Sequence, residues 1–224
     1  MLYSLFRNGF SAEAMIWVLC SIPVIILALC VHESAHGLAA KWMGDPTAYN
    51  LGRISLNPRK HLDPMGALLM FVFGFGWAKP VPINTRYFRN QKWGMALSAL
   101  AGPLSNVLCS YLFYVILRVI ESFVVIRSEG MYIAISAVHA ICYVGYLLNL
   151  SLAVFNLIPM PPLDGSRILF VFLPDRAYFA VMKYERYIYI GVMLLVITGM
   201  LDMPLDLVRN GITRLFELSL SWMV

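Results

Sequence analysis

Charge is what this sequence has least of. Of its 224 residues, 13% are charged and 60% are hydrophobic, and the mean hydropathy is +0.74. A soluble domain carries about 25% charged residues, so a water-soluble globular protein is excluded and an integral membrane protein is expected. The net charge of +5 is no nucleic-acid footprint, because lysine and arginine in such a chain mostly set orientation; no nucleic-acid partner is expected. Cysteine is scarce too. Cys20, Cys30, Cys109 and Cys142 all lie inside apolar runs and form no CxxC pair, which argues against disulfides or a thiolate zinc site and leaves small buried hydrophobes. Cys30 precedes His32 by two residues, which puts the two on different helix faces. Internal repeats, low-complexity tracts and long soluble insertions are missing, so 1–224 reads as a single membrane-embedded unit.

What is present is a series of apolar stretches: 14–31, continuing helically to about 42, then 65–78, 93–120, 131–158, 165–173 and 187–201. The first is uncharged and of membrane-spanning length. The lone arginine in Met1–Phe10 suggests a signal peptide, but the apolar run is too long and lacks a small-residue cleavage site, so the segment reads as retained. The core spans about 14–175, with a last span at about 187–201. Beyond it Leu205, Val208, Ile212, Leu215 and Leu218 repeat at helical spacing, which predicts an amphipathic helix over about 204–222, on the membrane or against the bundle. Segment 44–63 is polar and turn-rich, and Thr47 to Ser55 is expected to form a short strand or hairpin. Segment 65–78 is short for a span and holds three glycines, as a re-entrant element does. Lys41, Arg53, Arg59 and Lys60 precede it, and Lys79, Arg86, Arg89 and Lys92 follow. Both basic flanks favour the cytoplasmic side, so 65–78 is expected to dip in and return. The following stretch, with Pro80 and Pro82, reads as extended.

Chemistry enters at His32-Glu33-Ser34-Ala35-His36. Two histidines four apart on a helix share a face and can bind one metal ion. Glu33 is placed to take a proton from a water on that metal, and ionisable groups in a bilayer tend to be functional. Catalytic zinc commonly has three protein ligands. A downstream glutamate is not available, since none occurs between Glu33 and Glu121, and position 42 is Trp where a third histidine of the HExxHxxGxxH type would fall. Among the remaining acids Asp164 stands out. It follows the proline-rich Asn156–Leu163 between two apolar segments, and helix breaks at membrane depth are tolerated where they line a cavity.

His32–His36 together with Phe155-Asn156-Leu157-Ile158-Pro159-Met160-Pro161-Pro162-Leu163-Asp164-Gly165 resembles the site-2 protease family of intramembrane zinc metalloproteases. Ala101-Gly102-Pro103-Leu104-Ser105-Asn106 resembles that family's small-residue motif on the intervening helix. His61–Pro64 and Gly76–Pro82 resemble its compact bacterial and archaeal branch, which carries no PDZ or CBS insertion. The resemblance covers roughly 25 to 175. It implies an all-α polytopic membrane protein with a three-helix catalytic core, a re-entrant segment and a short strand or hairpin between core helices. It also implies a zinc metalloendopeptidase with one Zn2+ per chain, held by His32, His36 and Asp164. Glu33 would activate water and Asn156 would help hold substrate or oxyanion. Implied partners are a membrane-spanning protein substrate and the lipid bilayer, with the active site toward the cytoplasmic side of the cell inner membrane if the source is bacterial. The extended stretch 77–86 would pair with the unwound substrate by strand addition.

Other readings attach to the same residues. A metal or ion transporter would use the His/Glu/Asp cluster transiently, although transporters commonly show repeated halves. A silent membrane adaptor would have no use for Glu33. Asn106, Gly102 and Pro103 read as helix packing and kinking, His61 as a loop histidine that binds nothing, and His139 as a histidine bonded to a backbone carbonyl. Trp17, Trp77, Trp93 and Trp222 read as interface anchors.

Overall fold

The computed structural model describes residues 12–73 and 76–223; the segment Met1–Phe10, read above as retained, lies outside these residues. In chain order the helices are α1 (Ala12–Trp42), α2 (Thr47–Asn50), α3 (Pro58–His61), α4 (Pro64–Phe73), α5 (Gln91–Phe123), α6 (Glu129–Asn156), α7 (Asp164–Leu169), α8 (Asp175–Lys183), α9 (Glu185–Ile197) and α10 (Asp202–Ser219). Three of them, α1, α5 and α6, are long and apolar enough to cross a membrane. An isolated apolar segment in lipid must satisfy its own backbone, and only a helix does so. Polar residues set the starts: Asn90 accepts from the Trp93 N–H and Ser128 from the Met131 N–H, satisfying first-turn donors.

The three long helices meet along rows of small or polar residues. On α1 the buried row is Val24, Ala28, His32, His36 and Ala40, at an i+4 repeat. On α5 it includes Ala99, Gly102, Asn106 and Ser110, and on α6 Gly145, Asn149 and Ala153. Small residues let membrane helices approach closely, and lipid supplies no hydrophobic penalty for the outward faces. Accordingly Leu104, Leu108, Leu112 and Ile116 form an exposed stripe along α5.

The connection between α1 and α5 departs from expectation at one place. Thr47 to Ser55 forms no strand or hairpin; it holds the single-turn helix α2 and the loop after it. Buried Asp45 accepts from the Thr47 N–H at 2.9 Å, which folds the chain into a turn before any extended pairing begins. No strand occurs among the described residues, only one antiparallel bridge between Leu62 and Ala78. That bridge brings both ends of the 65–78 excursion together, and Lys79 N–H donates to the His61 carbonyl at 2.7 Å. Gly66 packs so close to the returning chain that a Cβ there would lie 2.1 Å from the Trp77 carbonyl oxygen. Helix α4 is 10 residues long, about 15 Å, and the two ends of the 65–78 excursion lie side by side.

The expected C-terminal span corresponds to α9, which has 13 residues, about 20 Å against a hydrocarbon core of about 30 Å. Gly199 turns the chain at φ +71°, and α9 and α10 meet at 80°, so a full crossing needs the bent pair. Helix α10 packs on the bundle. Leu205, Ile212 and Phe216 join the cluster of Leu117, Cys142, Tyr146, Leu150 and Val154. Val208, Leu215 and Leu218 of the predicted stripe are exposed. The buried face includes two polar positions that hydropathy does not reveal: Arg209 donates to Ser151 Oγ at 2.9 Å, and the Thr213 and Tyr146 hydroxyls share a bond of 2.5 Å.

Candidate metal centre

The site is built where α1, α5 and the break after α6 meet. Helix α6 ends at Asn156, the chain turns through Pro159–Leu163, and α7 begins at Asp164. Gly165 fixes this junction, since a Cβ there would lie 2.3 Å from the Leu157 carbonyl oxygen. The Asp164 side chain is thereby carried to α1. Its Oδ2 lies 3.1 Å from His32 Nε2 and 3.3 Å from His36 Nε2. His32, His36 and Asp164 each offer one ligand atom, all within 4.8 Å of one another. All three residues are buried.

The outer ring nitrogens are both held by acceptors. His32 Nδ1 faces Asn106 Oδ1 at 2.6 Å, and His36 Nδ1 faces the Ser98 carbonyl at 2.7 Å. Pro103 lies inside α5 and has no N–H to give the Ala99 carbonyl four residues back, next to Ser98. A proton on each Nδ1 leaves each Nε2 with a lone pair. Three lone-pair atoms, two imidazole and one carboxylate, then converge with no proton between them, which is unfavourable unless a cation lies among them. Ligands of a tetrahedral zinc at about 2.0–2.1 Å stand roughly 3.3 Å apart, in agreement with both contacts to Asp164. Gly102 completes the cradle: a Cβ there would lie 2.4 Å from His36 Cε1 and 2.8 Å from His32 Cε1. These residues fit a zinc ion.

Glu33 does not join the cluster. Its Oε2 accepts from the Val81 N–H at 2.9 Å. The extended stretch carrying Val81 is tied down along its length. Arg53 donates to the Lys79 and Pro80 carbonyls, and Asp45 accepts from the Asn84 N–H. Lys79 and Val81 thus already use their N–H groups within the chain, and Pro80 and Pro82 have none. Within the 77–86 stretch expected to pair with substrate, residues 79–82 therefore offer no free N–H, and the Val81 N–H is spent on Glu33. Asn156 is also apart. Its amide donates to the Leu152 carbonyl of its own helix at 2.9 Å and makes no hydrogen bond to His32, His36 or Asp164.

Two residues read as packing elements touch these histidines directly. Gly102 makes room for both rings, and Asn106 bonds His32. The available signal was an amide inside an apolar helix, matched by a second one, Asn149, on the next. Such groups need partners in a membrane. His61 is fully buried and bonds the Ser55 carbonyl through Nε2 at 2.6 Å; it anchors the loop that Ser34 also holds. His139 pairs with the Glu121 carboxylate at 3.1 Å rather than a backbone carbonyl, because the α5 end brings that acid within reach. The four cysteines are free; Cys30 and Cys142 are buried as expected, whereas Cys20 and Cys109 are only partly buried.

Comparison with known proteins agrees with this geometry. The profile of Peptidase family M50 matches residues 119–198, the part that carries Asn156 and Asp164. YwhC of Bacillus subtilis, which bears the name of a zinc metalloprotease, is 34% identical over 200 residues, covering 88% of this chain and 90% of that protein. Rip2 of Mycolicibacterium smegmatis is 26% identical over 183 residues, 79% of this chain and 66% of its own length. MJ0611 of Methanocaldococcus jannaschii is 31% identical over 107 residues, 47% of this chain and 49% of its own. No solved structure matches the chain. A buried His/His/Asp cluster in an apolar helical bundle, with that identity over most of the length of both proteins, leads to one conclusion: the chain belongs to peptidase family M50, the site-2 protease family of intramembrane zinc metalloproteases.

Proposed function

We propose that this chain cleaves membrane-spanning protein substrates, with His32, His36 and Asp164 holding one zinc ion and Glu33 acting as general base. The observation that carries the reading is the convergence of three lone-pair atoms at 3.1 and 3.3 Å beside a glutamate that is not one of them. Zinc, when bound, polarises the scissile carbonyl and lowers the pKa of a water. Glu33 accepts the proton and delivers it to the leaving amine. Its bond from Val81 engages one carboxylate oxygen and leaves the other for that proton. Asn156 sits at the end of α6, just before the turn to Asp164, and on releasing Leu152 would offer its amide to a substrate carbonyl. A substrate helix hides its carbonyls in i→i−4 bonds, so it must unwind before it can react.

The active site faces the cytoplasm in this reading, supported by the basic residues on both flanks of 65–78 at the His36 end of α1. In a bacterium the host membrane is the inner one. The whole chain acts as one peptidase domain, serving regulated intramembrane proteolysis or clearance of membrane remnants. Nothing in the described residues favours a transporter.

The test is zinc content and cleavage of a single-span substrate in detergent. Wild type should hold one zinc per chain. Glu33→Gln should keep the metal and lose about 10²–10⁴-fold in rate, the usual range for a general base. Asp164→Asn should lose both metal and activity. A Glu33→Gln variant that cleaves at the wild-type rate would remove the mechanism. Val81→Pro deletes the N–H on Glu33 and should slow cleavage with zinc retained; an unchanged rate would show that the strap does not position the base.

A further inference from the structure

The two histidines are held in different ways, and the difference points to residues outside the metal cluster. His36 Nδ1 meets a backbone carbonyl, that of Ser98 at 2.7 Å. A carbonyl can only accept, so His36 must carry its proton on Nδ1. His32 Nδ1 meets an amide side chain, Asn106, at 2.6 Å. An amide has a donor end and an acceptor end, and turning it over would reverse the histidine's tautomer. Something must therefore decide which end faces His32.

We infer that Asn149 and Asn106 form a two-amide relay that fixes the tautomer of His32, so that its Nε2 always presents a lone pair to the metal. The direction of the relay is set at its ends by groups with no choice. Asn149 Nδ2 donates to the Gly145 carbonyl one turn back on α6, at 2.8 Å. That leaves Asn149 Oδ1 facing α5, where it accepts from Asn106 Nδ2 at 2.9 Å. The same nitrogen donates its second proton to the Ala28 carbonyl of α1 at 3.2 Å. With both amide protons used, Asn106 presents only its oxygen to His32. A flipped Asn106 would set carbonyl against carbonyl at Ala28 and oxygen against oxygen at Asn149. Asn106 and Asn149 are 0% and 2% exposed, so bulk water does not compete for these bonds, and in an apolar interior each misplaced polar atom would stay unsatisfied. Helix packing alone does not require amides. One turn along the same seam a serine suffices, with Ser110 Oγ donating to the Tyr146 carbonyl at 2.8 Å. Asn106 and Asn149 are thus positioning residues that act on zinc through His32. Acceptors behind ligating histidines are a general device of metal sites; here the acceptor is itself oriented from a third helix.

The test is zinc affinity by chelator competition on the full-length protein in detergent, with no reliance on activity. The relay predicts that Asn106→Leu weakens zinc binding about 10–100-fold, the usual effect of losing such a partner. Asn149→Leu should weaken it in the same direction, and the double variant should be no weaker than Asn106→Leu, because Asn149 acts only through Asn106. Asn106→Asp keeps an acceptor toward Nδ1 and should lie closer to wild type than to Asn106→Leu. Ser110→Ala loses a hydrogen bond across the same helix pair and should bind zinc as wild type does. Unchanged affinity in Asn149→Leu, additive losses in the double variant, or an equal loss in Ser110→Ala would each overturn the relay. If Asn149→Leu does not fold, Asn149→Ser takes its place with the same two outcomes. The relay rests on His32 being a zinc ligand, which His32→Ala reads separately. Zinc retained by His32→Ala would refute the ligand, whereas zinc lost there but bound normally by Asn149→Leu would refute the relay alone.

Discussion

Helix α6 carries two adjacent rows of opposite character. Cys142, Tyr146, Leu150 and Val154 are apolar or aromatic and pack against Leu117 and Phe216. Gly145, Asn149 and Ala153 are small or polar and lie on the side of Phe113 and Asn106. In water the first row would dominate stability. In a bilayer, lipid is as apolar as the partner helix, so that row gains mainly from shape. The second row allows close approach and carries the bonds that reach His32. The apolar row holds α10 to the bundle; the small and polar row is linked through Asn106 to His32.

Substitutions that separate the two rows test this division. The largest effect is expected across from the small row, at Gly102→Val. Its side chain would occupy the space of both imidazole rings, so zinc content should fall from one per chain to near zero, measured by elemental analysis of folded protein. Next is Phe216→Ala. Cavity terms for such a change persist in a membrane while the transfer part shrinks, so a loss of about 2 kcal/mol is expected on denaturant titration, with zinc affinity unchanged. A drop in zinc affinity there would merge the two rows into one. Gly145→Ala puts a Cβ at 2.7 Å from the Phe113 ring and should push α5 from α6. The expected result is a several-fold loss in zinc affinity by chelator competition, larger than any loss from Cys142→Ala on the apolar row. The smallest effect is expected from Tyr146→Phe, which removes the bond to Thr213. Single bonds in membrane bundles average about 0.6 kcal/mol, read as a small shift in thermal midpoint without change in zinc.

The readable parts of the site were those written in local sequence. His32 and His36 share a face because four residues make about one turn, and Asp164 was conspicuous because prolines break an apolar helix beside it. Glu33 was legible from its place between the histidines, but its tie to Val81 was not, since that bond spans a loop of several turns. Asn106 was read as packing and Asn149 was passed over, because an amide in an apolar helix looks the same whether it caps, packs or orients. The predicted strand at Thr47–Ser55 failed because Asp45 closes a turn first, a side-chain event that hydropathy does not register. The stripe on α10 divides between the bundle, which Leu205 and Ile212 meet, and the outer surface, where Val208, Leu215 and Leu218 lie. Arg209 and Thr213 sit on the buried face with partners on α6, and polar residues with partners are invisible to an apolar periodicity.

Composition and periodicity alone thus determined a membrane-embedded helical protein with two histidines on one face of its first helix and an acid at a break far along the chain. Those properties are local, arising from transfer energies and from 3.6 residues per turn. Tertiary structure alone decided that Asp164 meets the histidines, that Gly102 makes room for them, and which end of Asn106 faces His32. Each depends on how α1, α5 and α6 pack, and that packing joins groups too distant in sequence for any local pattern to pair.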